Sequence, residues 1–152
     1  MNSLRWIVLT AASTCLIGLS LSNAAAQNTP VGLWKNVDDR TGKPKALIRI
    51  TENNGEFQGT IEKLLREAGQ DANPICDKCA DARKNQPILG MNIITGMKRD
   101  GDQYSGGQIL DPDNGKVYKS KLTLSEDGKK LNVRGYIGVP MLGRTQTWLR
   151  EQ

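Results

Sequence analysis

The spacing of turn signals constrains this chain more than any other feature. Clusters rich in Gly, Asn and Asp recur at Asp38-Asp39-Arg40-Thr41-Gly42, Asn53-Asn54-Gly55, Asp100-Gly101-Asp102, Pro112-Asp113-Asn114-Gly115 and Ser125-Glu126-Asp127-Gly128. Each holds a residue that tolerates positive φ, as tight hairpin turns require. The segments between them are short and alternate on a period of two: Ala46, Ile48 and Ile50 against Arg49 and Thr51; Phe57, Gly59 and Ile61 against Gln58, Thr60 and Glu62; Leu131, Val133, Gly135 and Ile137 against Asn132, Arg134 and Tyr136. That period belongs to half-buried strands. Eight strands are predicted, at about 31–37, 45–52, 56–64, 91–98, 103–110, 116–124, 130–137 and 143–150. The one long interruption, 66–87, is expected to be a loop with a short helical turn around 80–84.

Short connections between sequential strands favour an all-β antiparallel meander. One apolar face per strand favours closing it into a barrel, which removes the exposed edges. Glycines at 59, 96, 106, 107 and 135 suit the bends of such a barrel. An eight-stranded barrel is either filled by its side chains or wide enough for one small ligand. A two-sheet sandwich is the competing architecture.

Composition then narrows function. The chain of 152 residues has no histidine, which excludes Ser-His-Asp and Cys-His triads and His-ligated metals. Residues 1–26 read as a cleaved secretory signal peptide: Arg5 supplies the positive start, 6–21 is apolar and uncharged, and Ala24-Ala25-Ala26 fits a small-residue cleavage site. The domain is then 27–152, placed in the periplasm or outside the cell and without a transmembrane segment. Cys15 lies inside the apolar run and leaves with the signal.

The net charge of +5 is mild, and the basic residues are scattered along the chain with acids between them. A nucleic-acid groove would need clustered Lys and Arg interleaved with aromatics, so the charge reads as a solubilising surface and no nucleic-acid partner is expected. Cys76 and Cys79 form an isolated pair, most simply a disulfide stapling the long loop. A redox role would need the pair at a helix start within a βαβ unit, and a metal site would need more ligands. No metal or cofactor is expected.

Several segments are similar to a known pattern. Gly32-Leu33-Trp34 with Arg150 in the last strand resembles lipocalin and avidin-like barrels, in which the Trp closes one barrel end and the basic residue packs across it. The segments Cys76-Asp77-Lys78-Cys79, Gly106 through Tyr118, Val133-Arg134-Gly135-Tyr136-Ile137-Gly138 and Gly143 through Arg150 resemble the exported bacterial family catalogued as domain of unknown function 2147. The resemblance spans Val31 to Arg150 and implies a lipocalin-like barrel outside the cytoplasm. It implies no established activity.

Asp111-Pro112-Asp113-Asn114-Gly115 reads as a structural turn, with Pro112 at a position wanting φ near −65°, Asn114-Gly115 wanting positive φ, and Asp111 capping backbone N–H groups. Tyr118 and Tyr136 read as wall residues with hydroxyls bonded at a barrel rim, with contact to a ligand as the alternative. In the last strand Arg144, Gln146, Trp148 and Arg150 share one face, and Thr145, Thr147 and Leu149 the other. The favoured orientation turns Leu149 inward, because buried arginine is costly unless paired. The alternative turns Trp148 inward and lines the interior with Arg144, Gln146 and Arg150. Arg134 raises the same question one strand earlier.

The leading functional expectation is a non-enzymatic, monomeric binding module for a small apolar or amphipathic ligand, whose charged group lies near Arg134, Arg144 or Arg150. Only six aromatics, Trp34, Phe57, Tyr104, Tyr118, Tyr136 and Trp148, are available to fill the interior. The alternative is a solidly packed barrel that meets an envelope protein partner through its outer surface.

Overall fold

A computed structural model describes residues 28–151. The expected signal peptide, 1–26, lies outside the described residues. Eight strands form one closed barrel: β1 (Gly32–Val37), β2 (Pro44–Asn53), β3 (Glu56–Leu64), β4 (Asn92–Asp100), β5 (Gln103–Asp111), β6 (Lys116–Leu124), β7 (Lys130–Tyr136) and β8 (Arg144–Arg150). Each pairs antiparallel with its successor. Trp34 opposite Arg150 and Lys35 opposite Leu149 join β8 back to β1, so the barrel leaves no open edge. The sandwich is thereby excluded. The expected helical turn at 80–84 is instead a hydrogen-bonded turn, and the single 3₁₀ turn among the described residues is Pro140–Leu142.

The up-and-down order puts the connections 38–43, 65–91, 112–115 and 137–143 at one end, called the mouth, and the hairpin turns 54–55, 101–102 and 125–129 at the other. The end away from the mouth is packed. Trp34, Ile50, Phe57, Met97, Tyr104, Leu122 and Leu131 are all buried there, and Phe57 meets Tyr104 edge-on with ring centroids 4.8 Å apart. Ile137, expected on the inner face, is exposed because β7 ends at Tyr136 and the chain turns away at Gly138, whose φ is +75°.

The long loop is tied down at its own base and against a neighbouring turn. Cys76 and Cys79 form the disulfide, both are buried, and both join the core cluster with Ile88 and Met91. The Cys76 N–H donates to Gln86 O at 2.9 Å and that of Ile88 to Pro74 O at 2.9 Å. By register Ile93 and Leu110 lie on the opposite wall face to the paired Ile94 and Ile109, yet both are buried within the same cluster as the disulfide. Lys78 Nζ donates to Asp113 O at 3.0 Å, and Cys76 Sγ sits 3.7 Å from Pro112 O. The loop therefore rests on the β5–β6 turn.

That turn is shaped for the contact. Asp111 Oδ1 accepts the Asp113 N–H at 3.0 Å, Asp111 Oδ2 accepts the Asn114 amide at 3.0 Å, and Asn114 Oδ1 accepts the Lys116 N–H at 2.8 Å. Of the expected Asn114-Gly115 pair, Gly115 alone has positive φ, at +72°. A Cβ there would also overlap the Lys78 carbonyl. Gly55 has φ of +79° with open space around it. Gly55→Ala should therefore cost only the left-handed penalty of about 1–2 kcal/mol. Gly115→Ala adds an overpacking term and should cost about 3–4 kcal/mol in urea unfolding; equal costs would show that the loop is not held on this turn.

Candidate functional site: a one-ended cavity at the barrel mouth

The mouth half of the barrel is hollow. A cavity of about 760 Å³ opens there, floored by apolar side chains that include Ile48, Ile61, Val133 and Trp148. It is hollow because the inward residues at this end are small or short: Ala46 on β2, Val133 and Gly135 on β7. The volume falls within the range of small-molecule sites.

One wall carries a polar spot. Gln146 Oε1 accepts the Asn36 amide at 3.0 Å and the Trp148 indole N–H at 3.3 Å. Gln146 lines the cavity, and its Nε2 donates to no partner among the described residues. Tyr118 lines the same cavity and its hydroxyl accepts from the Asn114 amide at 3.1 Å. The rim is charged, with Arg40, Lys43, Lys45, Arg66 and Arg144 among the lining residues. Most of these cations are engaged. Lys43 pairs with Glu67, Lys45 with Asp113, and Arg40 lies 3.9 Å from Asp38. Arg144 forms a two-point pair with Asp39, its Nε donating to Oδ2 at 2.6 Å, and that guanidinium holds the Asp39 carboxyl below its ordinary value. Arg66 has no acidic partner within 4.0 Å among the described residues.

The last strand corrects the favoured orientation. Trp148 is 1% exposed and points inward, whereas Leu149 is 39% exposed on the outside. The arginines on the same face stand at the two ends of β8: Arg144 is exposed at the mouth, and Arg150 is half-buried at the far end with its donors satisfied by carbonyls. Arg150 lies over the buried Trp34 ring, its guanidinium carbon 4.2 Å from the centroid. It donates to Gly128 O at 2.6 Å, Val31 O at 2.8 Å and Thr29 O at 2.7 Å. Burial pushes it below the ordinary guanidinium value. Trp34 Nε1 donates to Pro30 O at 2.7 Å, so these two side chains plug the closed end.

Two further candidates lie away from the cavity. Arg134 is on the outer face, bonded to Pro140 O at 2.7 Å and to Thr145 Oγ1 at 2.7 Å. Tyr136 follows it on the same outer face, opposite Lys119. Of the three arginines expected near a ligand, only Arg144 reaches the mouth. Asn36, Lys43, Lys45 and Arg66 were not anticipated by sequence, since they come from strand ends and loops whose convergence depends on closure. Asp38 was missed too. It is buried, and its Oδ1 accepts the N–H groups of Arg40 at 2.9 Å and Thr41 at 3.0 Å, capping the β1–β2 turn.

This combination of a closed, up-and-down, eight-stranded barrel with one plugged end defines a lipocalin-like fold. The fold is similar to that of protein HP1028 from the human pathogen Helicobacter pylori, which belongs to the lipocalin family: the TM-score is 0.65 at 18% identity, covering 80% of this chain and 82% of that one. At that identity the likeness is one of fold. Residues 32–150 match the family described as uncharacterized protein conserved in bacteria (DUF2147), and the chain belongs to that family. No curated protein matches the chain in sequence.

Two predictions follow the two ends of the barrel. Arg150→Met keeps the apolar stem but leaves three carbonyls without their charged donor, and should lower stability by about 3 kcal/mol in chemical unfolding. Arg150→Lys should not restore it, because an ammonium cannot reproduce the planar fork. At the mouth, N–H donation by Thr41 and then Arg40 lowers the Asp38 carboxyl from its ordinary value. A group lowered in the folded state stabilises above its unfolded value and loses that contribution as pH falls through the folded one. The protection factors of the Arg40 and Thr41 amides, that is, their exchange relative to the intrinsic rate at each pH, should thus hold from neutral pH to about 4 and fall only below it. Loss of protection beginning near pH 6 would contradict the cap.

Proposed function

We propose that this protein is a non-enzymatic carrier or sensor of one small apolar or amphipathic molecule, working as a monomer in the periplasm or outside the cell. The observation that carries this reading is the cavity of about 760 Å³, apolar at its floor and polar at Gln146 and the rim. An apolar tail fits against Ile48, Ile61, Val133 and Trp148, and a polar head then lies between the Gln146 amide and the mouth. Arg66 is the cation best placed to meet an anionic head, since its rim neighbours already hold carboxylates. The family and the lipocalin-like fold support a binding role in general terms.

The chemistry at the mouth favours binding over catalysis. Asp38 and Asp111 cap turns, while Asp39, Glu67 and Asp113 are paired with cations. These five rim carboxylates are thereby committed to backbone N–H groups or to cations, and none of the five is left unpartnered to serve as a general acid. The cystine is buried in the core cluster, and neither of its cysteines lines the cavity. A solidly packed barrel serving only an envelope partner fits the closed half of the interior but not the mouth half.

The test is a titration with a dansyl-labelled fatty acid, followed by fluorescence. One saturable site per chain is expected. Val133→Trp, which fills the floor, should weaken binding at least tenfold while leaving the circular dichroism unchanged. Absence of saturable binding across single-chain anionic, zwitterionic and neutral amphiphiles would refute the carrier reading.

A further inference from the structure

The connection between β7 and β8 is unusually apolar for a surface loop. Within seven residues, Ile137 is 65% exposed, Val139 53%, Met141 88% and Leu142 79%. A loop tip of this kind ordinarily carries polar residues, and contiguous exposed apolar side chains mark a contact surface. The loop is also held in shape. Arg134 reaches across from the β7 wall to donate to Pro140 O at 2.7 Å and Met141 O at 3.3 Å, and the Gly143 N–H donates to Pro140 O at 3.0 Å. These bonds fix the backbone of the tip, so its apolar side chains stand outward instead of folding back onto the barrel.

The wall beside the loop has one sign of charge. Segments 116–124 and 129–150 together contain eight Lys and Arg residues and no Asp or Glu. Arg144 and Arg150 lie on the inward face and Lys129 and Lys130 stand at the closed end, but the pairing of β6 with β7 brings Lys119, Lys121 and Arg134 together on the outer face near the loop. Lys121 stands directly opposite Arg134, and Lys119 opposite Tyr136, next to the loop. A like-charge pair directly across strands is unfavourable by itself, and neither Lys119, Lys121 nor Arg134 has an acidic partner within 4.0 Å among the described residues. Arg134 spends its donors on neutral carbonyls and a hydroxyl, so its charge is uncompensated.

We propose that the 137–143 loop and the adjoining β6–β7 wall form a docking surface for an anionic lipid bilayer. Met141 and Leu142 enter the interfacial region, and Lys119, Lys121 and Arg134 meet the anionic headgroups. A convex apolar tip flanked by cations matches a bilayer interface, where buried apolar area and headgroup attraction add. It matches a nucleic acid less well, since that calls for exposed aromatics in a groove. Docked this way, the barrel presents its mouth to the membrane, because Arg144 at the rim directly follows the loop. None of the residues in this surface lines the floor of the cavity, so the docking does not depend on the carrier reading.

Vesicle flotation tests it, using the chain from Gln27 so that the apolar leader does not contribute; the barrel closes entirely within the residues that remain. With vesicles of phosphatidylethanolamine and phosphatidylglycerol at 7:3 the protein should float at low salt, and it should not with phosphatidylcholine alone. Met141→Asp with Leu142→Asp should cut the apparent affinity at least tenfold. Lys119→Gln with Lys121→Gln should lower it about fivefold per charge removed, and added salt should weaken the wild type in parallel. Dansyl fatty-acid binding by these variants in vesicle-free buffer should stay at the wild-type level, which separates a failure of docking from a failure of the cavity. The proposal is overturned if the wild type does not float with the anionic vesicles. It is equally overturned if neither double variant changes flotation, or if the loop instead mediates a dimer that the Asp variants dissociate.

Discussion

The stacking of Arg150 on Trp34 is the contact on which the barrel depends. Arg150 ends the last strand, Trp34 lies in the first, and these residues face each other where β8 rejoins β1. Three backbone carbonyls, from Thr29, Val31 and Gly128, converge on the same guanidinium. One side chain thus joins the start of the described chain, the β6–β7 turn and the final strand. No carboxylate offsets its burial; the indole face and the carbonyls do so through geometry that a lysine cannot copy. Because this end is sealed, whatever enters the barrel must use the other.

The opposite end is built on a different principle. Its inward residues include small ones, its rim charges are engaged with one another apart from Arg66, and the disulfide loop rests on the Asp111–Gly115 turn. The Cys76–Cys79 bridge closes only a short segment, so its effect on the entropy of the unfolded chain is modest, about 2 kcal/mol by the loop-length relation. Its larger consequence is local: it fixes the Lys78 carbonyl against Gly115 and keeps Cys76, Cys79 and Ile88 over Ile93 and Leu110. Fold stability and site geometry are therefore separated along the barrel axis, with a packed half that closes the structure and a hollow half free to specialise.

Much of the architecture was legible because it is periodic and local. Turn clusters and two-residue alternation place all eight strands, with ends within two residues of those observed, and the number of strands together with short connections leads to closure. The site was less legible because it is neither. The orientation of β8 runs against the burial cost that its sequence suggests for Arg144 and Arg150, because at about 3.3 Å per residue they reach opposite rims and only Gln146 and Trp148 between them are enclosed. Residue type alone makes Arg134 and Tyr136 ligand candidates, although the alternation with Val133 and Gly135 turns them outward. The contact of Cys76–Cys79 with Asp111–Gly115 joins segments 35 residues apart, as the Lys78 to Asp113 bond does. No periodicity encodes such a contact. The cationic wall was invisible for the same reason: it exists only once β6 and β7 lie side by side.

The central claim is that the hollow half of this barrel holds a small molecule. Native mass spectrometry of the protein purified from its own host, under conditions that preserve non-covalent complexes, tests it most directly. The account predicts one added mass per chain, matching a single apolar or amphipathic compound and absent from the Val133→Trp variant. A bare chain mass, unchanged after incubation with extracted envelope lipids, would contradict it.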